Sequence, residues 1–195
     1  MKLIPKQIVL AAAALSLASA ASAAVETYAI DPVHSSVGFA VRHIFTKVPG
    51  RFTEFKGTIT VDRDNLENSK VDATIQVASL DTDSAMRDKD LKGPNYFDLA
   101  GFSTITFAST SWKKTGDSSY DVAGDLTIHG VTKPVVLRVD SLGFGPGMMG
   151  KPVSGWDASV TLNRKDYGVD GPPMIGKAIG DEVTVLITVE ADLRK

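Results

Sequence analysis

The chain contains no cysteine, and only three of its 195 residues are histidine. Without thiols there is no disulfide staple, no thiolate nucleophile and no cysteine-based metal site. His34, His43 and His129 show neither H-x-H nor H-E-x-x-H spacing. A zinc site needs at least three converging ligands, so no metal is expected. Neither charge sign dominates, with 21 basic against 23 acidic residues. Nucleic-acid binding therefore has no electrostatic basis, and no polybasic run favours anionic lipid surfaces. A nucleophile elbow of the form G-x-S-x-G is absent. Two stretches, Gly145–Lys151 and Gly171–Lys177, match the G-x-x-x-x-G-K part of a phosphate loop. Pro152 and Ala178 then stand where a magnesium-binding hydroxyl is required, and internal prolines remove N–H groups from the cradle. No catalytic residues and no cofactor are expected, and the chain is read as a non-enzyme.

Long apolar runs are also scarce. The only one, Ile8–Ala20, is about 13 residues, too short to span a bilayer as a helix. It follows a short basic leader containing Lys2 and Lys6, and it ends at Ala21-Ser22-Ala23, a small-x-small cleavage pattern. Residues 1–23 are thus expected to be a secretory signal peptide, and 24–195 the mature domain. Loss of the two leader lysines leaves 19 basic against 23 acidic residues, a net charge of −4. The mature protein is expected to be periplasmic or secreted, with no stable membrane insertion.

What is present is a period of two. Val37, Phe39 and Val41 share one face of a strand, and His43 falls on that face while His34 does not. Alternation recurs at Phe55–Val61, Val71–Val77, Ile105–Phe107, Val122–Ile128, Val135–Val139, Trp156–Leu162 and Val183–Val189, giving eight strand candidates. Turn chemistry separates them at Val48-Pro49-Gly50, Asp62–Asn65, Thr115-Gly116-Asp117, His129-Gly130 and Gly143–Gly147. Asp83 or Ser84 is placed to cap a short helix over Ala85–Leu91, ended by Gly93 and Pro94, and Asn95–Leu99 reads as a second short helical turn. Eight strands with one apolar face each must bury those faces together, in a closed barrel or a two-sheet sandwich, mostly antiparallel. A closed eight-stranded barrel either fills its interior or holds a small ligand.

The residues Ile30–Phe39 (IDPVHSSVGF), Val41-Arg42-His43, Gly50-Arg51-Phe52 and Phe55-Lys56-Gly57 resemble the opening of the YceI-like, polyisoprenoid-binding proteins. The resemblance continues through Arg87–Leu91, Tyr96-Phe97-Asp98, Ser103–Phe107, Gly124–Pro134 (GDLTIHGVTKP), Leu162–Gly168 and Gly180–Val183. It covers essentially the whole mature chain, and departs at Ala100–Ser103 and over Pro172–Ile175. It implies an all-β, extended eight-stranded antiparallel lipocalin-like β-barrel with a short helical segment between strands. It also implies a lumen for a long-chain isoprenoid lipid, of polyprenyl or isoprenoid-quinone type, or a fatty-acid-like chain. Some relatives form dimers, so a homodimer is within its scope.

On that reading the candidate ligand-binding residues are Val37, Phe39, Val41, His43, Phe52, Phe55, Ile59, Ile75, Val77, Phe107, Leu126, Ile128, Trp156 and Met174. His43 is either a histidine satisfied by its neighbours or a ligand contact. The expected function is a soluble periplasmic carrier or store of such a lipid. The alternatives are an envelope structural or partner-binding protein with a self-filled barrel, and an enzyme acting on the lipid.

Overall fold

The structure, a computed structural model, describes residues 25–173 and 178–194. The expected signal peptide and Met174 lie outside the described residues. The strands are β1 (Glu26–Ile30), β2 (Ser36–His43), β3 (Thr46–Phe52), β4 (Phe55–Val61), β5 (Lys70–Gln76), β6 (Leu80–Asp81), β7 (Thr104–Lys114), β8 (Ser119–Ile128), β9 (Val131–Pro146), β10 (Pro152–Asn163) and β11 (Ile179–Leu193). They form one antiparallel sheet in the order β1-β4-β5-β7-β8-β9-β10-β11, which closes through a β1–β11 pairing. Higher up, β2 replaces β1 beside β11, and β3 pairs with β2 and then β6. Thus β1–β2, β3–β4 and β5–β6 are each one bent stave, and the molecule is the expected eight-stranded antiparallel barrel. The longest single strand, β9, has 16 residues and extends about 50 Å along its own path.

One helix, α1 (Ala85–Leu91), lies in the connection between β6 and β7. Ser84 is its cap and accepts from Arg87 N–H at 3.5 Å. Gly93 and Pro94 follow it, as the sequence indicates. Three local readings need correction. Asn95–Leu99 is a run of turns, with Phe97 N–H donating to Leu91 C=O and Leu99 N–H to Lys92 C=O, and it is not helical. Val48-Pro49-Gly50 lies inside β3, where it pairs with Val41, Ala40 and Phe39. That part of β3 has a neighbour on one side only, so a residue without an N–H is tolerated. Gly143–Pro146 continues β9 opposite β10, bent at a bulge where Gly143 takes φ +125°.

The core is divided along the barrel axis. At the lower end, Tyr28, Ile59, Val61, Trp112, Tyr120, Val122, Val139, Trp156 and Ala191 form one buried cluster, with Phe144 packed on it. Its aromatic rings meet largely edge-on: Trp112–Trp156 at 5.6 Å, Phe144–Trp156 at 5.5 Å and Tyr28–Phe144 at 5.9 Å between centroids. Such pairs add about 0.5–1.5 kcal/mol each beyond area burial. The Arg63 guanidinium covers Phe144 from outside at 4.7 Å. Trp156 Nε1 donates to buried Ser154 Oγ at 3.0 Å. Tyr28 Oη donates to Glu26 at 2.6 Å, and burial together with that carboxylate pushes its pKa up to about 12.

Candidate functional site

Above the aromatic cluster the barrel is hollow. A cavity of about 620 Å³ runs from the upper rim down to Trp112 and Trp156. Its deep wall is apolar: Ile59, Val71, Ala73, Phe107, Leu137, Val139, Ala158, Val160, Val185, Ile187 and Val189. Each comes from the inward set of a stave, because alternate residues of a strand face the same way. Tyr28, Val61, Tyr120 and Val122 lie below and do not line it, so the lower cluster is a floor. The mouth is at the opposite end, where the β2–β3 hairpin, α1 and the β10–β11 connection meet. His43, Val48, Met86, Arg87, Asp90 and Ile179 line it there.

Twelve of the fourteen expected residues line this one cavity: Val37, Phe39, Val41, His43, Phe52, Phe55, Ile59, Ile75, Phe107, Leu126, Ile128 and Trp156. Val77 does not. The chain leaves the ladder after Gln76 and turns through a 3₁₀ segment over Val77–Ser79. Val77 is thereby buried behind the wall, in the cluster of Val37, Phe52, Leu80 and Ile105. His43 is exposed at the rim. Trp156 belongs both to the floor's packing and to the cavity surface.

Phe39 depends on a glycine. Its ring lies over Gly50 on the neighbouring strand, and a Cβ on Gly50 would be 2.3 Å from Phe39 Cζ. Phe107 covers Gly124 in the same way. The absent side chains let these rings lie against the wall and keep the lumen open. The connections supply further wall residues that no strand period marks: Leu91 at the end of α1, Tyr96 and Phe97 after it, and Tyr167 and Val169 after β10. Burial raises the pKa of Tyr96 and of Tyr167, so both rings are neutral phenols.

Among the described residues, Arg164 is the one charged side chain buried in the wall, at 9% exposure. Every nitrogen of its guanidinium donates. Nε donates to Gly180 C=O at 2.9 Å, Nη1 to the carbonyls of Val169 and Asp170, and Nη2 to Asp181 at 3.3 Å. It ties the β10–β11 connection to the start of β11. The signal for it was present in Leu162–Gly168, but its partners are backbone carbonyls, which sequence does not reveal. Trp112 Nε1 is buried with no hydrogen-bond partner among the described residues.

Outside the barrel, Asp31, His34 and Glu190 bring their ligand-type atoms within 4.8 Å of one another. His34 Nδ1 is already hydrogen-bonded to Asp31 at 2.7 Å, and the imidazole is exposed. Glu190 arrives from the other end of the chain, so spacing alone did not predict its approach. His129 lies at the β8–β9 turn with φ +50°, its ring against Phe102 at 4.6 Å. The cavity thus offers an extended, largely apolar surface, with His43, Lys56, Arg87, Asp90 and Arg164 as its basic and acidic lining residues.

A family model for the YceI-like domain matches residues 28–191. The UPF0312 protein of Pseudomonas syringae pv. tomato is 36% identical over 180 residues, covering 90% of this chain and 94% of its own. Protein YceI of Escherichia coli O17:K52:H18 is 38% identical over 180 residues, covering 91% and 92%. The crystal structure of the Campylobacter jejuni YCEI protein has a TM-score of 0.69 at 27% identity, over 77% of this chain and 88% of that one. A polyisoprenoid binding domain from Saccharophagus degradans shares the fold at a TM-score of 0.67 and 15% identity, over 86% and 98%. With the motif order, the closed barrel and these relatives in agreement, the chain belongs to the YceI-like family.

Proposed function

We propose that the protein holds a long-chain isoprenoid lipid, of polyprenyl or isoprenoid-quinone type, in the upper lumen and serves as its carrier or store outside the cytoplasm. The observation that carries this reading is the cavity itself: apolar along its depth, floored by aromatics and open at one rim. A volume of about 620 Å³ lies in the range of small-molecule sites. The name of the Saccharophagus domain, a polyisoprenoid binder, supports the ligand class.

The energetics favour a chain over a compact polar molecule. Each buried methylene contributes about 0.8 kcal/mol, so ten supply about 8 kcal/mol before association costs. One hydrogen bond from a rim group adds only about 1 kcal/mol. The wall therefore supplies affinity, and His43, Arg87 and Asp90 at the mouth select the head group. Export is supported by the leader pattern of residues 1–23, and no helix among the described residues is long and apolar enough to cross a membrane.

Organic extraction and mass spectrometry of the exported, purified protein test this reading. A stoichiometric isoprenoid lipid is the expected result. Protein that yields no lipid, and takes up none when offered, contradicts it and favours an envelope structural role.

A further inference from the structure

The turn joining β2 to β3 departs from ordinary hairpin chemistry in three ways. His43 pairs with Thr46, so Ile44 and Phe45 alone make the turn. Ile44, at the first central position, has φ +53°. Gly, Asn or Asp is the usual residue there, and a β-branched side chain in that region is strained. Phe45 beside it is 96% exposed. Arg42 and Lys47 stand directly opposite each other on the outer face, an arrangement of like charges that destabilises a strand pair.

These departures lie together at the rim of the cavity. Val41, His43 and Val48 of the same hairpin line the mouth, and Met86 of α1, 77% exposed, lines it from the other side. The other large exposed hydrophobics among the described residues do not gather there: Val33, Val136, Leu142 and Leu186 are spread over the wall, and Val25 and Met148 sit at the closed end. The hairpin's charges are all positive. Arg42 donates to Ile44 C=O at 2.8 Å, which braces the turn, and Lys47 has no partner among the described residues. The nearby acids are largely occupied: Asp83 pairs with Arg51 at 3.1 Å, and Asp88 accepts from Thr82 N–H at 2.9 Å. Asp90 faces the cavity.

We infer that the β2–β3 hairpin is a membrane-docking finger that seats the barrel mouth on an anionic lipid bilayer. Ile44 and Phe45 enter the boundary between head groups and acyl chains, while Arg42 and Lys47 meet lipid phosphates. The two cations are brought together by pairing across the hairpin, which is why no polybasic run marks the site in the sequence. One aromatic tip and two cations give reversible association and not stable insertion. A chain then passes between bilayer and lumen without exposing its length to water, whose cost grows with every methylene. The inference rests on the lipid-carrier reading above.

Flotation of the full mature protein with phosphatidylcholine vesicles, with and without phosphatidylglycerol, tests it. The wild type should float with the anionic vesicles and be partly released by high salt. Phe45→Glu should lower the bound fraction about tenfold, by loss of one buried aromatic. Lys47→Glu should lower it several-fold on anionic vesicles alone. Both side chains face solvent, so both variants should melt as the wild type does and keep its extractable lipid. A wild type that carries lipid but ignores vesicles overturns the docking role and leaves the carrier reading intact, as does Phe45→Glu floating like the wild type. Vesicle binding by a protein that yields no lipid supports the docking finger and sinks the carrier reading.

Discussion

The lower and upper parts of the barrel use the same staves in the same antiparallel register, yet one is packed solid and the other is hollow. In the lower part the inward positions are Tyr28, Trp112, Tyr120 and Trp156, with Phe144 from the bent end of β9, and their rings fill the cross-section. In the upper part they are mainly Val, Ile, Leu and Ala, and of the five phenylalanines lining it Phe39 and Phe107 lie over glycines. A barrel of fixed strand number has a nearly fixed girth, so side-chain size decides whether it encloses space. Stability is therefore concentrated at the floor and binding above it. Arg164 holds the connection at the rim without entering the lumen's chemistry.

That division can be broken from either side. The largest effect is expected at the floor. Trp156→Ala removes the ring shared by Trp112 and Phe144 and should lower unfolding free energy by about 3–5 kcal/mol in denaturant titration. A loss below about 1 kcal/mol would show that the floor is not the stabilising half. Next is a charge in the hollow half. Ile75→Asp, or Phe39→Asp, should lower lipid retention at least about a hundredfold, because the chain would lie against an unpaired carboxylate. Both positions line an open cavity and not solid packing, so folding should suffer less than retention; equal retention would remove these residues from the ligand wall. Gly50→Ala sharpens the comparison by pushing Phe39 off the wall. It should cost about 1–3 kcal/mol of stability and reduce retained lipid in the same extraction assay. His43→Ala, at the rim, should weaken binding only modestly, by about 1 kcal/mol.

The smallest effect lies outside the barrel, at the bend between β1 and β2. The hydrogen bond to Asp31 raises the His34 pKa above its usual 6.5, and the bond from His34 lowers Asp31 below its usual 3.8. The raised histidine contributes stability in full below pH 6.5 and loses it as pH rises through its folded value. The depressed carboxylate contributes above pH 3.8 and loses it as pH falls through its folded value. The pair is thus strongest in mildly acidic solution. NMR titration should place the His34 midpoint above 6.5 and find it lower in Asp31→Asn; identical midpoints would remove the pair from the account.

The eight staves and their inward faces were legible because a period of two is a local property of the chain. Height within the barrel was not. Tyr28 and Phe144 lie at stave ends that carry no alternation signal, and Gly143–Gly147 reads as a turn until its pairing with β10 is seen. Alternation shows that Trp156 points inward, but its meeting with Trp112 depends on the stagger between staves that are not neighbours. Val77 illustrates the opposite failure: its place in the alternation is right, but the chain leaves the sheet one residue earlier. Leu91, Tyr96, Phe97, Tyr167 and Val169 reach the cavity from connections, where no period operates.

The chain's two tryptophans, Trp112 and Trp156, meet at the floor, so their fluorescence reports on the depth of the lumen. Titration with two isoprenoid probes, one brominated at the tail and one beside the head group, tests the container directly. Strong quenching by the tail-brominated probe and weak quenching by the other is the predicted result. No quenching by either, or equal quenching by both, would contradict a chain lying in the barrel with its tail on the aromatic floor.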